Sequence, residues 1–147
     1  MKKITLLIIA LVINSCSEMK DVFEINDSET ITIGLLSEEV YSADEQKKDK
    51  TYYERREVVQ QKELTGEKRT AFLKEFKNKD NYVPLARKCK YEPVFVLLVD
   101  DRPHAYFDVE YCPTVKFILE GKKEKYLDIV TENTLKELLD THFSKEN

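Results

Sequence analysis

The sequence predicts an α+β fold: one domain, mostly an antiparallel sheet with two helices, in the order β-β-α-β-β-β-α. Three observations predict it. Short runs rich in β-branched and aromatic residues recur between turn signals. Two stretches carry an apolar stripe at helical spacing. Strands and helices do not alternate regularly, as a parallel βαβ sheet would require.

The elements follow in order. Ile31–Leu36 reads as the first strand, and Asp44–Lys50 as a charged loop. Tyr52–Lys62 alternates imperfectly and is taken as a long second strand, with a helix as the alternative because Glu, Arg and Gln are good helix formers. Thr65–Asn78 is the first helix, with Thr65 as cap, Glu67 in the first turn and Phe72, Leu73 and Phe76 on one face. Thr114–Leu119 is a further strand, Glu120–Lys123 turns it, and Tyr126–Val130 returns. Thr131–Phe143 is the last helix, where Leu135, Leu138, Leu139 and Phe143 share a stripe and Thr134-x-x-Glu137 matches a capping box.

Between these lies a hairpin, Arg87–Thr114, with a cysteine at each open end. Val94–Val99 is an apolar run too short for a typical helix, Asp100-Asp101-Arg102-Pro103 is turn chemistry, and His104–Tyr111 alternates. A two-residue turn at Asp100-Asp101 sets Val99 against Arg102, Val96 against Ala105, and Cys89 opposite Cys112. Opposed positions lie near disulfide reach, so turn and cysteines support one another. In this register Val94, Val96, Leu98, Ala105, Phe107 and Val109 form the core face. The other face carries Tyr91, Phe95, Leu97, His104, Tyr106 and Asp108, and Tyr91 and Tyr106 are the expected partner surface.

The chain opens with Lys2 and Lys3 and an apolar run, Ile4–Ile13, too short to span a bilayer and of the length expected in a secretory signal. The following Ile13-Asn14-Ser15-Cys16 resembles the lipobox of bacterial lipoproteins. That resemblance implies cleavage after residue 15 and lipidation of Cys16. The alternative is an ordinary cleaved signal with an incidental cysteine. Residues 1–15 are then a signal peptide, 16–30 a polar, acidic tether, and 31–147 the domain. Ser17 resembles the outer-membrane retention signal of that family, placing the protein in the cell envelope with its membrane face open. Cysteine arithmetic agrees: of three cysteines, Cys16 takes the lipid while Cys89 and Cys112 pair in an oxidising compartment.

Removing residues 1–15 takes away two lysines and no acid, so the net charge moves from −4 to −6. Mixed signs at negative net charge leave no electrostatic footprint for nucleic acid. With three glycines in the chain there is no G-x-G-x-x-G and no P-loop. No cofactor is expected.

From Leu64 onward, a helix, Lys88-Cys89-Lys90-Tyr91-Glu92-Pro93, a hairpin, Tyr111-Cys112, a strand and a helix resemble a group of small uncharacterised bacterial lipoproteins. That resemblance implies an address and a fold but no activity.

His104 with Asp100, Asp101 and Asp108 looks like a metal or acid–base cluster, but His104 and Asp108 lie ~13 Å apart along a strand. Cys89, Cys112 and His104 supply three zinc ligands where a structural site takes four, so no metal site is expected. Two histidines leave little for nucleophilic catalysis, and no catalytic residue is assigned. The Glu38-Glu39, Asp100-Asp101 and Asp108/Glu110 pairs read as solvated faces. The expected function is therefore a non-enzymatic, membrane-tethered interaction module, of the inhibitor or immunity kind, whose partner is an envelope or secreted protein. The alternative is a hydrolase or carbohydrate-active enzyme using surface carboxylates.

Overall fold

The computed structural model describes residues 22–119, 123–130 and 133–143. The expected signal peptide and Cys16 lie outside them. Eight strands form one sheet in the order β2-β3-β1-β5-β6-β7-β8-β4, and every pairing in it is antiparallel. They are β1 Ile31–Leu36, β2 Tyr52–Tyr53, β3 Arg56–Glu63, β4 Tyr82–Pro84, β5 Phe95–Val99, β6 Arg102–Asp108, β7 Thr114–Ile118 and β8 Glu124–Ile129. Two helices, α1 Gly66–Lys77 and α2 Leu135–Phe143, complete the α+β domain.

The helices cover one face of the sheet. Phe72, Leu73 and Phe76 of α1 and Leu135 and Leu139 of α2 join Ile31, Ile33, Phe95, Leu97, Phe107, Val115 and Phe117 in the main core. The first turn of α2 is capped by Asn133, whose Oδ1 accepts the Leu135 N–H at 2.8 Å, and not by the expected Thr134 box.

Residues 22–30, expected as the second half of the tether, belong to the domain. Val22, Phe23 and Ile25 are buried, and the Phe23 ring meets Tyr82 and Phe117 at 5.3 Å and Phe76 at 5.8 Å. Cations on α1 bind the backbone of this segment: Lys77 donates to Ile25 O at 2.8 Å and Arg69 to Glu29 O at 2.7 Å. His104 Nε2 meets Val22 O at 2.8 Å.

The β5–β6 turn is the expected two-residue Asp100-Asp101, both residues at positive φ as a type I′ turn requires. The register slips one pair later. Val99 and Leu98 oppose Arg102 and Pro103, then Leu97, Val96 and Phe95 oppose Ala105, Tyr106 and Phe107. His104 is the extra residue of this β-bulge, and one extra residue exchanges the faces of everything beyond it. Phe95 and Leu97 therefore join Ala105 and Phe107 under the helices, while Val96 and Leu98 join Tyr106 on the opposite face. The expected core face, with Val96 and Leu98 beside Ala105 and Phe107, is corrected accordingly, whereas Val94 and Val109 pack with the main core as expected. Tyr111 lies past the end of β6 and is 74% exposed.

A second bulge shapes the other end of the sheet. The β1–β3 register shifts where Leu35 opposes Gln60 and Leu36 opposes Val58. Bulges bend the strand that carries them. Beyond this one the β2–β3 hairpin folds back over the sheet face away from the helices, where Tyr53 and Val58 pack on Leu36, Val96, Leu98 and Tyr106. The sequence stretch read as one strand is thus two, split by a Glu54-Arg55 turn with φ of 51° and 62°. Gly34 accommodates the fold-back, since a Cβ there would stand 2.8 Å from Val96 Cγ1 and 3.4 Å from Val58 Cγ1.

Candidate functional site

Pairing across β6, β7 and β8 lays side chains in rows on the face away from the helices. One row is Asp108–Thr114–Asp128 and the next is Tyr106–Lys116–Tyr126. Both hold charged groups that are almost wholly buried: Asp108 is 0% exposed, Asp128 2% and Lys116 3%. A buried charge persists only where partners replace its water, and each of these has them.

Asp108 holds two loops at once. Its Oδ2 accepts the Glu92 N–H at 2.9 Å, and its Oδ1 accepts the Glu110 and Tyr111 N–H groups, both at 3.2 Å. Asp128 holds the start of the first loop, with Oδ2 accepting the Ala86 N–H at 2.9 Å and the Arg87 N–H at 3.2 Å. Its Oδ1 is buried and has no hydrogen-bond partner among the described residues. The same two loops are bonded covalently through the Cys89–Cys112 disulfide, whose Cα atoms lie 5.8 Å apart. Cys112 is buried, with Sγ 3.6 Å from Thr114 Oγ1, whereas Cys89 is exposed. The bond forms at the open end of the hairpin as expected, but between loops and not across a strand ladder.

Lys116 closes the adjacent row. Its Nζ donates to Glu54 Oε1 at 2.7 Å and to Glu124 Oε1 at 2.9 Å, and stands 5.2 Å and 5.9 Å from the centres of the Tyr106 and Tyr126 rings. Burial alone would lower the Lys116 pKa, but the bonds to the two glutamates outweigh it and the net shift is upward. The Lys116 bond holds the Glu124 carboxyl below its ordinary value, against a smaller opposing effect of burial.

The expected partner surface at Tyr91 and Tyr106 is corrected by this packing. Tyr106 is 5% exposed, beneath Tyr53 and beside Lys116. Tyr91 is half-buried, its ring edge-on to Tyr126 at 5.6 Å and its hydroxyl buried with no hydrogen-bond partner among the described residues. The cover is a folded-back hairpin and a disulfide-bonded loop, which no hydrophobic pattern announces. What stands exposed at this end is a different set: Tyr111 at 74%, Leu85 at 51% and Val83 at 44%, with Arg87 half-buried and Lys88 and Lys90 exposed on the same loop. A signal for Tyr111 was present in the sequence, since it sits next to a disulfide cysteine at a strand end.

The carboxylates read as solvated pairs divide. Asp108 is buried and fully used, whereas Glu110 is exposed. Asp100 Oδ1 accepts the Thr30 N–H at 2.9 Å, fixing the start of β1. His142, in the last turn of α2, is 8% exposed and its pKa is lowered, chiefly by burial. It lines a cavity of about 250 Å³ between α1 and α2, walled mainly by Ile33, Leu64, Ala71, Phe72, Leu138 and Leu139. Among the described residues no three His, Cys, Asp or Glu side chains are grouped to hold a metal ion. The chain matches no family model, no curated protein and no solved structure.

Proposed function

We propose that this chain is a non-enzymatic interaction module, tethered to the cell envelope through a lipid on Cys16, that docks a protein against the loop pair joined by Cys89–Cys112. The observation that carries the reading is the contrast between a fixed backbone and an exposed surface. Asp108, Asp128 and the disulfide hold both loops, yet those loops and the adjoining β4 present Tyr111, Leu85 and Val83 to solvent. A surface ordered before binding loses little entropy on docking, and an exposed tyrosine is a frequent centre of binding energy. Lys88, exposed on this loop, favours a partner with an acidic surface, while Arg87 and Lys90 pair with Asp128 and Glu92.

The carboxylates gathered on this face are taken up by structural partners. Asp108 and Asp128 accept backbone N–H groups, and Glu54 and Glu124 hold Lys116. Docking is tested with a photo-activated cross-linking residue at Tyr111 in cells. A protein adduct of one mass is expected, and none from the same residue at Thr70, exposed on α1. No adduct at position 111, or equal labelling at position 70, overturns the docking surface. The address is tested separately: Cys16→Ala should leave the membrane fraction, and a variant that remains there overturns the anchor.

A further inference from the structure

We propose that the outer edge of β3 is a self-association surface, on which two copies of this chain pair antiparallel along residues 59–63 about a two-fold axis at Gln61.

β3 runs for eight residues, but β2 pairs only with Arg56 and Glu57, and Thr51 accepts the Val58 N–H. The strand therefore continues past its outer neighbour. The Leu64 N–H donates inward to Ile31 O at 2.8 Å. Backbone direction alternates along a strand, so Lys62 also bonds inward to β1, while Gln61 and Glu63 turn their N–H and C=O outward. Gln60, Gln61 and Glu63 are exposed and Val59 is 54% exposed. The open stretch ends at Thr51 of β2 on one side and on the other at Leu64, which turns into the core at 4% exposure. Its midpoint is Gln61.

An exposed strand edge is a template for another strand, and charge selects which one. Pairing with the axis at Gln61 sets Gln61 against Gln61, Gln60 against Lys62 and Val59 against Glu63, with no like charges opposed. Sliding the second copy by two residues in one direction stacks Lys62 on Lys62. Sliding it by two in the other brings Glu63 onto Glu57, whose outer edge Tyr52 of β2 already occupies. The first alternative is penalised because like charges directly opposite destabilise a sheet, and the second because that edge is filled. Gln61 of each copy exchanges both backbone hydrogen bonds with its counterpart across the axis. The contact is isologous and closes at two copies.

Sedimentation equilibrium of the full chain in density-matched detergent tests this. Wild type should move from one to two chains per particle as its concentration rises from micromolar to millimolar. Gln61→Pro removes only an outward N–H, and Gln61→Lys places like charges across the axis; each should weaken pairing about tenfold or more. Circular dichroism checks that both remain folded, and the lysine variant carries the test if the proline variant does not. A wild type that stays single throughout, or two folded variants that pair as it does, overturns the proposal.

Discussion

Lys116 Nζ lies 2.7 Å from Glu54 Oε1, joining the middle of β7 to a turn 62 residues earlier in the chain. Glu54 sits in the turn between β2 and β3, and β3 and β7 lie four places apart in the sheet, so the bond exists only because the β2–β3 hairpin folds back across the face. The turn that makes it is unfavourable for its own residues, since Glu54 and Arg55 both adopt positive φ without being glycine. A buried ammonium held by two carboxylates compensates for that local cost.

Replacing Lys116 separates its packing from its charge. Lys116→Ala should destabilise the domain by about 2–4 kcal/mol, because it opens a cavity between Tyr106 and Tyr126 and frees the hairpin. Lys116→Met should cost less, about 1 kcal/mol, since Glu54 and Glu124 are each partly exposed and regain water. Urea unfolding of both variants decides it. Equal losses would mean that the charge, and not the filled volume, holds the hairpin.

The ionisable groups of the domain set a pH window. Burial is the largest cause raising Tyr82, Tyr91 and Tyr106, with Glu75 adding for Tyr82 and Glu54 for the other two. A folded state that holds a proton more tightly is fully stabilised below the unfolded pKa, about 10 for tyrosine, and loses that stability as pH rises beyond it. Lys116, also raised, acts in the same direction. On the acid side Glu124 is lowered, so its contribution is present above about pH 4.3 and disappears as pH falls through its folded value. Burial lowers His104 and His142 as well, so their contribution is present above about pH 6.5 and is lost as pH falls below it. The urea midpoint should therefore be flat only between about pH 7.5 and 9.5 and fall on both sides. A midpoint still at its plateau at about pH 11 would contradict this assignment of the tyrosines.

Helix α1, the Asp100-Asp101 turn and the pairing of Cys89 with Cys112 were legible in the sequence because each rests on local chemistry: an apolar stripe, turn residues, cysteines at a hairpin's ends. The faces of that hairpin were not. His104 enters as a bulge among residues that alternate without interruption, and alternation cannot show where a partner strand skips one. Lys116 alternates with Val115 and Phe117 as a solvent-facing lysine would; only the hairpin folding over it makes it interior. β4, three residues long, carries too short a pattern to register. Phe23 and Ile25 lie among acids that make the segment look like tether, and their burial depends on Arg69 and Lys77 more than 40 residues away.

The Asp101 backbone offers a stabilising change. Its φ is 61°, a region where a side chain is strained and glycine is not. Asp101→Gly creates the Asp-Gly pair favoured by type I′ turns and should raise stability by up to about 1 kcal/mol. Asp100, at φ 48°, does not offer the same gain, because Asp100→Gly also removes the carboxylate that binds the Thr30 N–H. Thermal unfolding of the two variants should move in opposite directions. A common direction would show that the turn, and not the Thr30 bond, governs this corner.

Asp108 and Asp128 are both buried carboxylates two strands apart, and amide substitution should tell them apart. Asp108 uses both oxygens, one on Glu92 and the other on Glu110 and Tyr111, so Asp108→Asn must turn an N–H donor toward at least one backbone N–H. Bonds from a charged acceptor contribute about 1.5–3 kcal/mol, and a loss of about 3 kcal/mol is expected. Asp128 uses only Oδ2, and its Oδ1 has no hydrogen-bond partner among the described residues. Asp128→Asn can keep its oxygen on Ala86 and Arg87 and place the new NH₂ at the vacant position, giving up mainly the 3.9 Å pairing with Arg87 Nε. That change should cost about 1 kcal/mol or less, as expected of a partly exposed ion pair. Hydrogen exchange of the Glu92, Glu110 and Tyr111 amides should accelerate in the first variant and stay unchanged in the second. Similar losses from both would mean that the loops are held by the disulfide alone, and that Asp108 is not what positions Tyr111.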